Sequence, residues 1–338
     1  MNSPVDTIRL ADYLSRHIPD FHGDLQVEKF AGGQSNPTFK LTSSGRQYVL
    51  RRKPPGKLLP SAHAVDREYR VISALQHTEV PVPKAYILCD DDSVIGSMFY
   101  VMEFMDGRVL WDPLLPEANS NEARTAFYDS MNKTLAALHN INVEAIGLGD
   151  YGKPGNYFER QISRWTRQYR GAETEYLDDM EQLIKWLPAR MPPDDGAISL
   201  VHGDYRLDNM MFHPDRSEVI AVLDWELSTV GHPLADLAYQ CMGWKLPRSS
   251  GMKGLAGVDR AALGIPSDEQ YIAKYCERTS RDGIDNWNFY LVFSLFRLAS
   301  IVQGIRKRVQ LGNASSDEAA SRGELIHPLL AMAVELID

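Results

Sequence analysis

Cysteine is scarce in this chain of 338 residues. Its three cysteines, Cys89, Cys241 and Cys276, are far apart and lack Cys-x-x-Cys spacing, which argues against a disulfide framework or a zinc site. Basic residues are also outnumbered, with 36 Lys and Arg against 45 Asp and Glu and a formal net charge of −9. Nucleic-acid binding depends on positive charge, so we expect no nucleic-acid partner.

The N-terminus lacks the basic and apolar regions of a secretory signal, and the chain lacks a long uninterrupted apolar run. The longest apolar stretch, 289–305, is interrupted by polar residues: Ser294, Arg297, Ser300 and Gln303. It therefore predicts a buried helix, with no membrane partner. With 44% hydrophobic and 24% charged residues, the composition predicts a globular, cytoplasmic protein large enough for two lobes. Its oligomeric state is left open.

The first third of the chain reads mainly as β-strands. After a short leading helix at 5–18, strand patterns separated by glycine-rich or polar turns alternate with one longer helix, from Ser61 to about Leu75. The predicted strands are 25–30, 38–41, 48–51, 85–88 and 98–102.

Beyond Gly107 the pattern becomes mainly helical. Apolar residues at helical spacing predict five helices there. Residues 245–265 are weakly patterned and predict a mobile loop on the substrate side. The predicted helices are 120–139, 158–169, 176–187, 284–311 and 318–337.

Polar residues concentrate around one predicted hairpin. Asp204 and Asn209 share a loop after an apolar strand, and Asp224 ends the strand that pairs back beside that loop. Three oxygen-bearing side chains are thus expected at one end of the hairpin, which suits a general base and a Mg²⁺ site. Taken singly, an Asp or Asn in a loop more often caps backbone N–H groups.

The combination is more specific than its parts. His-Gly-Asp-x-x-x-x-Asn from His202 to Asn209, followed by a strand ending in Asp224, resembles the kinase-like aminoglycoside phosphotransferase family, a relative of the protein kinases. The segment from Val49 to His63 is similar to the phosphotransferase-like module that is fused to some acyl-CoA dehydrogenases. The resemblance covers roughly residues 25–310.

This resemblance implies an α+β, protein-kinase-like bilobal fold. The N-terminal lobe, residues 1–104, would hold the leading helix, a small five-stranded antiparallel sheet, the phosphate loop and one main helix. The C-terminal lobe, residues 105–338, would be larger and mostly helical, with the catalytic loop and the substrate cleft.

The resemblance also implies a nucleotide site. Gly33 and Ser35 would face the phosphates of ATP, although two glycines alone fit an ordinary turn equally well. Arg51 stands where protein kinases carry a lysine, and Glu68 on the following helix would pair with it. Backbone groups from Glu103 to Met105 would meet adenine.

The implied chemistry is γ-phosphoryl transfer from ATP to a substrate hydroxyl. Asp204 would accept the proton of the hydroxyl, and Asn209 and Asp224 would hold Mg²⁺. The chain departs from the related motifs at Asp224-Trp-Glu, where protein kinases have Asp-Phe-Gly, and at His232, where the family usually has Asp.

Several functions remain open at this point. The closer resemblance implies a hydroxyacyl-CoA as acceptor, and the alternatives are an aminoglycoside or another amino-alcohol or sugar. A catalytically silent nucleotide-binding scaffold would share the fold. A metal-dependent hydrolase could use the same acids but would not need Arg51 and Glu68, and a protein kinase is disfavoured by Asp224-Trp-Glu.

Overall fold

The computed structural model describes residues 5–30, 36–54, 63–249, 252–312 and 323–337. These residues form an α+β fold with antiparallel sheets and mostly helical structure in the second half, so the predicted fold class is confirmed. The predicted glycine-rich phosphate loop and Ser61 lie outside the described residues.

Two compact units make up the chain. The first consists of Met1–Arg108 together with Met210–Ser228, and the second of Val109–Asn209 together with Thr229–Asp338. The chain thus passes twice through the first unit. The boundary expected from the sequence, between residues 104 and 105, stays a prediction.

The first unit contains a five-stranded antiparallel sheet in the order β1-β2-β3-β5-β4. Burial alternates along the strand Thr38–Ser43, as expected when successive side chains point to opposite faces. Phe39, Leu50 and Val101 pack in the core cluster with the leading helix, and Arg51 and Tyr100 belong to the opposite face. The strands are β1 Leu25–Lys29, β2 Thr38–Ser43, β3 Arg46–Arg52, β4 Ala85–Cys89 and β5 Phe99–Glu103.

Three helices accompany this sheet. Helix α1 (Thr7–His17) starts at Asp6, whose carboxylate accepts the Arg9 N–H at 3.1 Å, and α2 (Val65–Leu75) buries Glu68. The four-residue helix α3 (Asp92–Ile95) lies between the strands β4 and β5. Its cap is Asp91, and so short a helix has no sequence periodicity that would reveal it.

The second passage through the first unit is a hairpin. Strands β8 (Met210–Phe212) and β9 (Val219–Val222) pair antiparallel, and the turn closes with a bond from the His213 N–H to the Glu218 carbonyl at 2.8 Å. A two-residue strand, β6 (Arg108–Val109), comes next to β8 in sheet order. A Cβ on Gly107 would lie 2.8 Å from the Phe212 carbonyl oxygen, so this approach requires glycine.

The second unit is built from helices around a short strand pair. Strands β7 (Ser199–Val201) and β10 (Thr229–Gly231) pair antiparallel and flank the candidate catalytic loop in sequence. The helices are α4 Asn121–His139, α5 Tyr157–Ala172, α6 Asp178–Ala189, α7 Leu234–Lys245, α8 Asp268–Arg278, α9 Trp287–Gln310 and α10 Ile326–Glu335.

Helix α9 is the central helix of the second unit. By length and composition alone it could cross a membrane, the one such helix in the described part of the chain. However, 78% of its apolar window is buried inside the protein, as in the core helix of a folded domain. It packs against α5, α7 and α10.

The segment between α7 and α8, predicted to be a mobile loop, has no helix or strand over its described residues. Two ion pairs fasten it within the second unit: Arg248 binds both carboxylate oxygens of Asp112 at 2.6 and 2.8 Å, and Arg260 binds Asp268 at 2.7 Å. A Cβ on Gly254 would lie 1.7 Å from the Leu246 carbonyl oxygen. The backbone therefore folds tightly on itself here.

Candidate active site

A cavity of about 350 Å³ opens within the first unit. Such a volume is in the range of small-molecule sites. Its lining combines apolar side chains with charged groups, a mixture that suits a ligand with an apolar ring and an anionic tail. Arg51, Glu68 and Asp224 cluster through ion pairs and form a charged end, and the apolar lining includes Val49, Ile72, Met102, Met211 and Val222.

Arg51 is the centre of the charged end. Its Nη1 lies 3.1 Å from a Glu68 oxygen, and its Nη2 lies 2.7 Å from an Asp224 oxygen and 3.9 Å from Glu226. Burial opposes the charge of Arg51, but Glu68 and Asp224 raise its pKa above the ordinary value. The two arms of the guanidinium thus serve two carboxylates at once, which a lysine could not do in the same way.

Glu68 is the most deeply buried carboxylate of this group, with 1% of its surface exposed. Burial raises its pKa to about 7, against the opposing effect of Arg51. Tyr100, fully buried beside it on β5, was not singled out from the sequence, because an aromatic residue in an apolar strand carries no distinguishing signal. In the described part of the chain, Arg51 Nε has no hydrogen-bond partner, which leaves a buried donor beside the cavity.

The segment predicted to meet adenine also borders this cavity. Glu103 ends β5, Phe104 and Met105 follow it, and all three line the cavity. The Glu103 N–H donates to the Lys84 carbonyl at 2.8 Å, and the Glu103 carboxylate accepts the Lys84 N–H at 3.2 Å. These bonds fix the start of the segment, so Met105 is the better placed of the predicted pair to offer its amide. Gly33 and Ser35 lie outside the described residues.

Asp204 and Asn209 lie together in the second unit. The Asn209 side-chain amide donates to the Asp204 carbonyl at 2.8 Å and to its carboxylate at 2.9 Å. The bend between them contains a 3₁₀ turn at Leu207–Asn209. Because the amide NH₂ of Asn209 is used in this way, its Oδ1 is left for another ligand.

Asp236 fixes the backbone of the loop that carries Asp204. Its fully buried carboxylate accepts the N–H groups of His202 and Gly203 at 2.6 and 2.8 Å. The His139 Nε2 lies 3.4 Å from the Asp236 carboxylate, and its Nδ1 is 2.7 Å from the Tyr275 hydroxyl. Burial alone would raise the pKa of Asp236, but these donors lower it. An ionised Asp236 therefore fixes the two residues before Asp204.

His232 stands where the related motif has an aspartate. Its Nδ1 accepts the Leu234 N–H at 3.3 Å, which is the bond an aspartate would accept at the start of α7. Its Nε2 lies 3.0 Å from Asp195. His232 therefore contacts the first turn of the helix that carries Asp236 and an acid of the preceding loop.

Two further side chains beside Asp204 went unnoticed in the sequence. Tyr239 on α7 is buried, and its pKa is raised first by burial and then by the charge of the nearby Asp204. Arg297 on α9 donates to the Gly203 carbonyl. The sequence could have revealed Arg297, because it is a charged residue in an otherwise apolar helix. Tyr239 has no sequence feature that separates it from an ordinary core tyrosine.

The residues predicted to hold Mg²⁺ are an amide and a carboxylate, Asn209 and Asp224. Asp224 has a φ of 63° and is 35% exposed, so its carboxylate combines contact with Arg51 and access to a ligand. Over the residues that the structure describes, no group of three or more His, Cys, Asp or Glu is arranged to hold a metal. Any metal here would need ligands from a bound phosphate or water, as Mg²⁺ usually does.

A sequence model of the phosphotransferase enzyme family matches residues 26–275 of the chain. Among solved structures, a protein from Ralstonia eutropha named as an aminoglycoside phosphotransferase is 53% identical, with a TM-score of 0.90 and 98% of each chain covered. A macrolide 2′-phosphotransferase from Brachybacterium faecium is 19% identical, with a TM-score of 0.59 over 96% of this chain and 97% of its own. At 19% identity, the similarity to the macrolide 2′-phosphotransferase shows only a shared fold.

Curated relatives are longer proteins. Acyl-CoA dehydrogenase family member 10 of Mus musculus is 47% identical over 92% of this chain, which spans 29% of that relative. Acyl-CoA dehydrogenase family member 11 of Gallus gallus is 44% identical over 97% of this chain, which spans 43% of it. The chain therefore covers less than half the length of these relatives.

Proposed function

We propose that the chain, which belongs to the phosphotransferase enzyme family, is a small-molecule phosphotransferase that transfers the γ-phosphate of ATP to a hydroxyl group. The observation that carries this proposal is the cavity of the first unit, whose lining combines apolar side chains with the cluster of Arg51, Glu68 and Asp224. A purine suits the apolar side chains, and phosphates suit the guanidinium and its buried Nε, which has no partner among the described residues.

In this proposal, Arg51 contacts the phosphates and Glu68 keeps the guanidinium in place. Glu103 and Met105 present backbone groups to adenine, and Gly33 and Ser35 approach the phosphates. Positioning and charge stabilisation supply most of the catalysis in phosphoryl transfer, so these roles are mainly geometric.

Asp204 is the proposed base. Its carboxylate is oriented by the Asn209 amide, and the backbone directly before it is fixed by Asp236. It would accept the proton of the acceptor hydroxyl as the new oxygen–phosphorus bond forms and the bond from the γ-phosphorus to the departing ADP breaks. Asn209 Oδ1 and the Asp224 carboxylate are proposed to hold Mg²⁺, which when bound neutralises phosphate charge.

We further propose a hydroxyacyl-CoA as the acceptor. The support is the identity with relatives named acyl-CoA dehydrogenase family members, of which this chain spans only a part. An aminoglycoside is the second candidate, because the 53% identical solved protein carries that name.

The proposal is tested by two separate measurements on the purified chain. Equilibrium binding of ATP and GTP, with and without Mg²⁺, should show Mg²⁺-strengthened ATP binding that Arg51→Met weakens by about tenfold or more. Nucleotide consumption should then rise on adding hydroxyacyl-CoAs and stay at background with kanamycin. Nucleotide binding with no stimulation by any hydroxyl compound would instead indicate a silent scaffold.

A further inference from the structure

Arg297 is a buried cation in the middle of the apolar helix α9. It is 7% exposed, and among the described residues no carboxylate forms an ion pair with it. A buried charge without a counter-charge is costly. Arg297 is stabilised by its bond to the Gly203 carbonyl and by the ring faces of Trp165 and Tyr239, at 5.5 and 5.2 Å from Cζ to the centroids.

Two exposed arginines lie close to Trp165 on helix α5. Arg164 also places its Cζ 5.5 Å from the Trp165 ring centroid, and Arg167 follows three residues later on the same exposed side of the helix. Within the described ranges, neither pairs with a carboxylate. Their neighbour Arg170 behaves differently, since it binds Glu181 through both arms.

The three guanidinium groups of Arg297, Arg164 and Arg167, called here the arginine track, are positive charges without acidic partners in a chain whose formal net charge is −9. They are linked to the catalytic loop because Arg297 binds the residue that precedes Asp204. Arg297 and Arg164 lie in one neighbourhood, because the Cζ of each is 5.5 Å from the centroid of the same Trp165 ring.

We propose that the arginine track binds anionic groups of the phosphoryl acceptor, either phosphate or carboxylate. This inference rests on the proposed function, because it assumes that Asp204 faces the acceptor hydroxyl. Guanidinium groups bind phosphate and carboxylate oxygens in paired hydrogen bonds. The site therefore favours a hydroxyl compound with an anionic arm, such as a CoA thioester, and disfavours a polycation.

Calorimetric binding of CoA tests the track directly. CoA contains an ADP moiety, so the titration is made on protein saturated with AMP-PNP and Mg²⁺ and repeated without nucleotide. The R164A/R167A variant should weaken CoA binding in the saturated protein by at least about tenfold and reduce its salt dependence. A matched control, K133A/R308A, removes two exposed cations that have no carboxylate partner in the described structure and should leave binding unchanged.

Two more ligands distinguish the source of the anion. Dephospho-CoA and CoA differ by one phosphate, and a short hydroxy acid carries only a carboxylate. If the double variant weakens CoA and not the hydroxy acid, the track binds phosphate, and the reverse result assigns it to a carboxylate. Equal binding of every anion by wild type and R164A/R167A would overturn the proposal, as would tighter binding of kanamycin than of CoA.

Arg297 is tested by Arg297→Lys, which keeps the charge but loses the fork of donors. The expected result is a KM for an anionic acceptor raised about tenfold, with the KM for ATP unchanged. Arg297→Lys changes a buried site and could prevent folding. In that case the R164A/R167A variant, which changes only exposed residues, decides whether the proposal holds. Arginine-dependent CoA binding without any phosphoryl transfer would refute the proposed function and leave the track standing.

Discussion

At the scale of single residues, the forked guanidinium of Arg51 allows one side chain to contact two carboxylates. Its two arms reach Glu68 and Asp224 from a position that is 13% exposed. Breaking a buried ion pair by removing one partner leaves the other charge uncompensated, and this costs more than removing both partners. The Glu68 carboxylate, almost wholly buried, would be the charge left behind.

Arg51→Met should therefore lower the free energy of unfolding by about 3 kcal/mol, and the added change Glu68→Met should recover at least about 1 kcal/mol of that loss. Denaturant unfolding of the wild type, both single variants and the double variant measures this coupling. If the two single losses simply add, the pair contributes no interaction and this description of Arg51 is wrong.

Asp204→Asn probes the proposed base while keeping the size of the side chain. Turnover should fall by about 10²–10⁴-fold, which is the usual contribution of a general base. The dissociation constant for ATP should change little, because Asp204 belongs to the second unit and the proposed nucleotide cavity to the first. Unchanged turnover would remove Asp204 from that role.

At the scale of elements, the ion pair between Arg248 and Asp112 fastens the segment between α7 and α8. Hydrogen bonds from Arg248 lower the pKa of Asp112 from 3.8 to about 2. A carboxyl whose pKa is lower in the folded state stabilises the fold above the unfolded value, and this contribution disappears as the pH falls through the folded value.

Stability should consequently decline between about pH 4 and pH 2 in part through Asp112. In Asp112→Asn the stability at pH 6 should be lower and its further decline between pH 4 and pH 2 shallower. Urea unfolding at a series of pH values measures both slopes. Asp215 is an exposed acid in the β8–β9 turn. The control variant Asp215→Asn should leave this slope unchanged.

The elements also show which parts of the fold the sequence could predict. Helix α4 was predictable because Ser120 caps it and its apolar residues recur at helical spacing. Helix α3 was not, because four residues contain no period. The Asp204–Asn209 contact follows from a short motif, whereas Arg297 reaches Gly203 across 94 positions, and no local pattern specifies such a contact.

At the scale of the whole molecule, the two units carry different parts of the proposed chemistry. The nucleotide cavity and Asp224 belong to the first unit, and Asp204, Asn209 and the arginine track to the second. The chain enters the first unit again directly after Asn209, so the motif that revealed the family spans both units in sequence. The acceptor has to be assigned from the second unit, whose helices contain no short sequence motif comparable with His202 to Asn209.

Phosphorus NMR of the reaction with ATP, Mg²⁺ and a hydroxyacyl-CoA tests the central claim most directly. A phosphate monoester of the acyl chain should appear as ADP forms, at equal rates, and Asp204→Asn should slow both by the same factor. Formation of ADP and free phosphate without any ester, at the same rate in the wild type and in Asp204→Asn, would contradict phosphoryl transfer to a hydroxyl group.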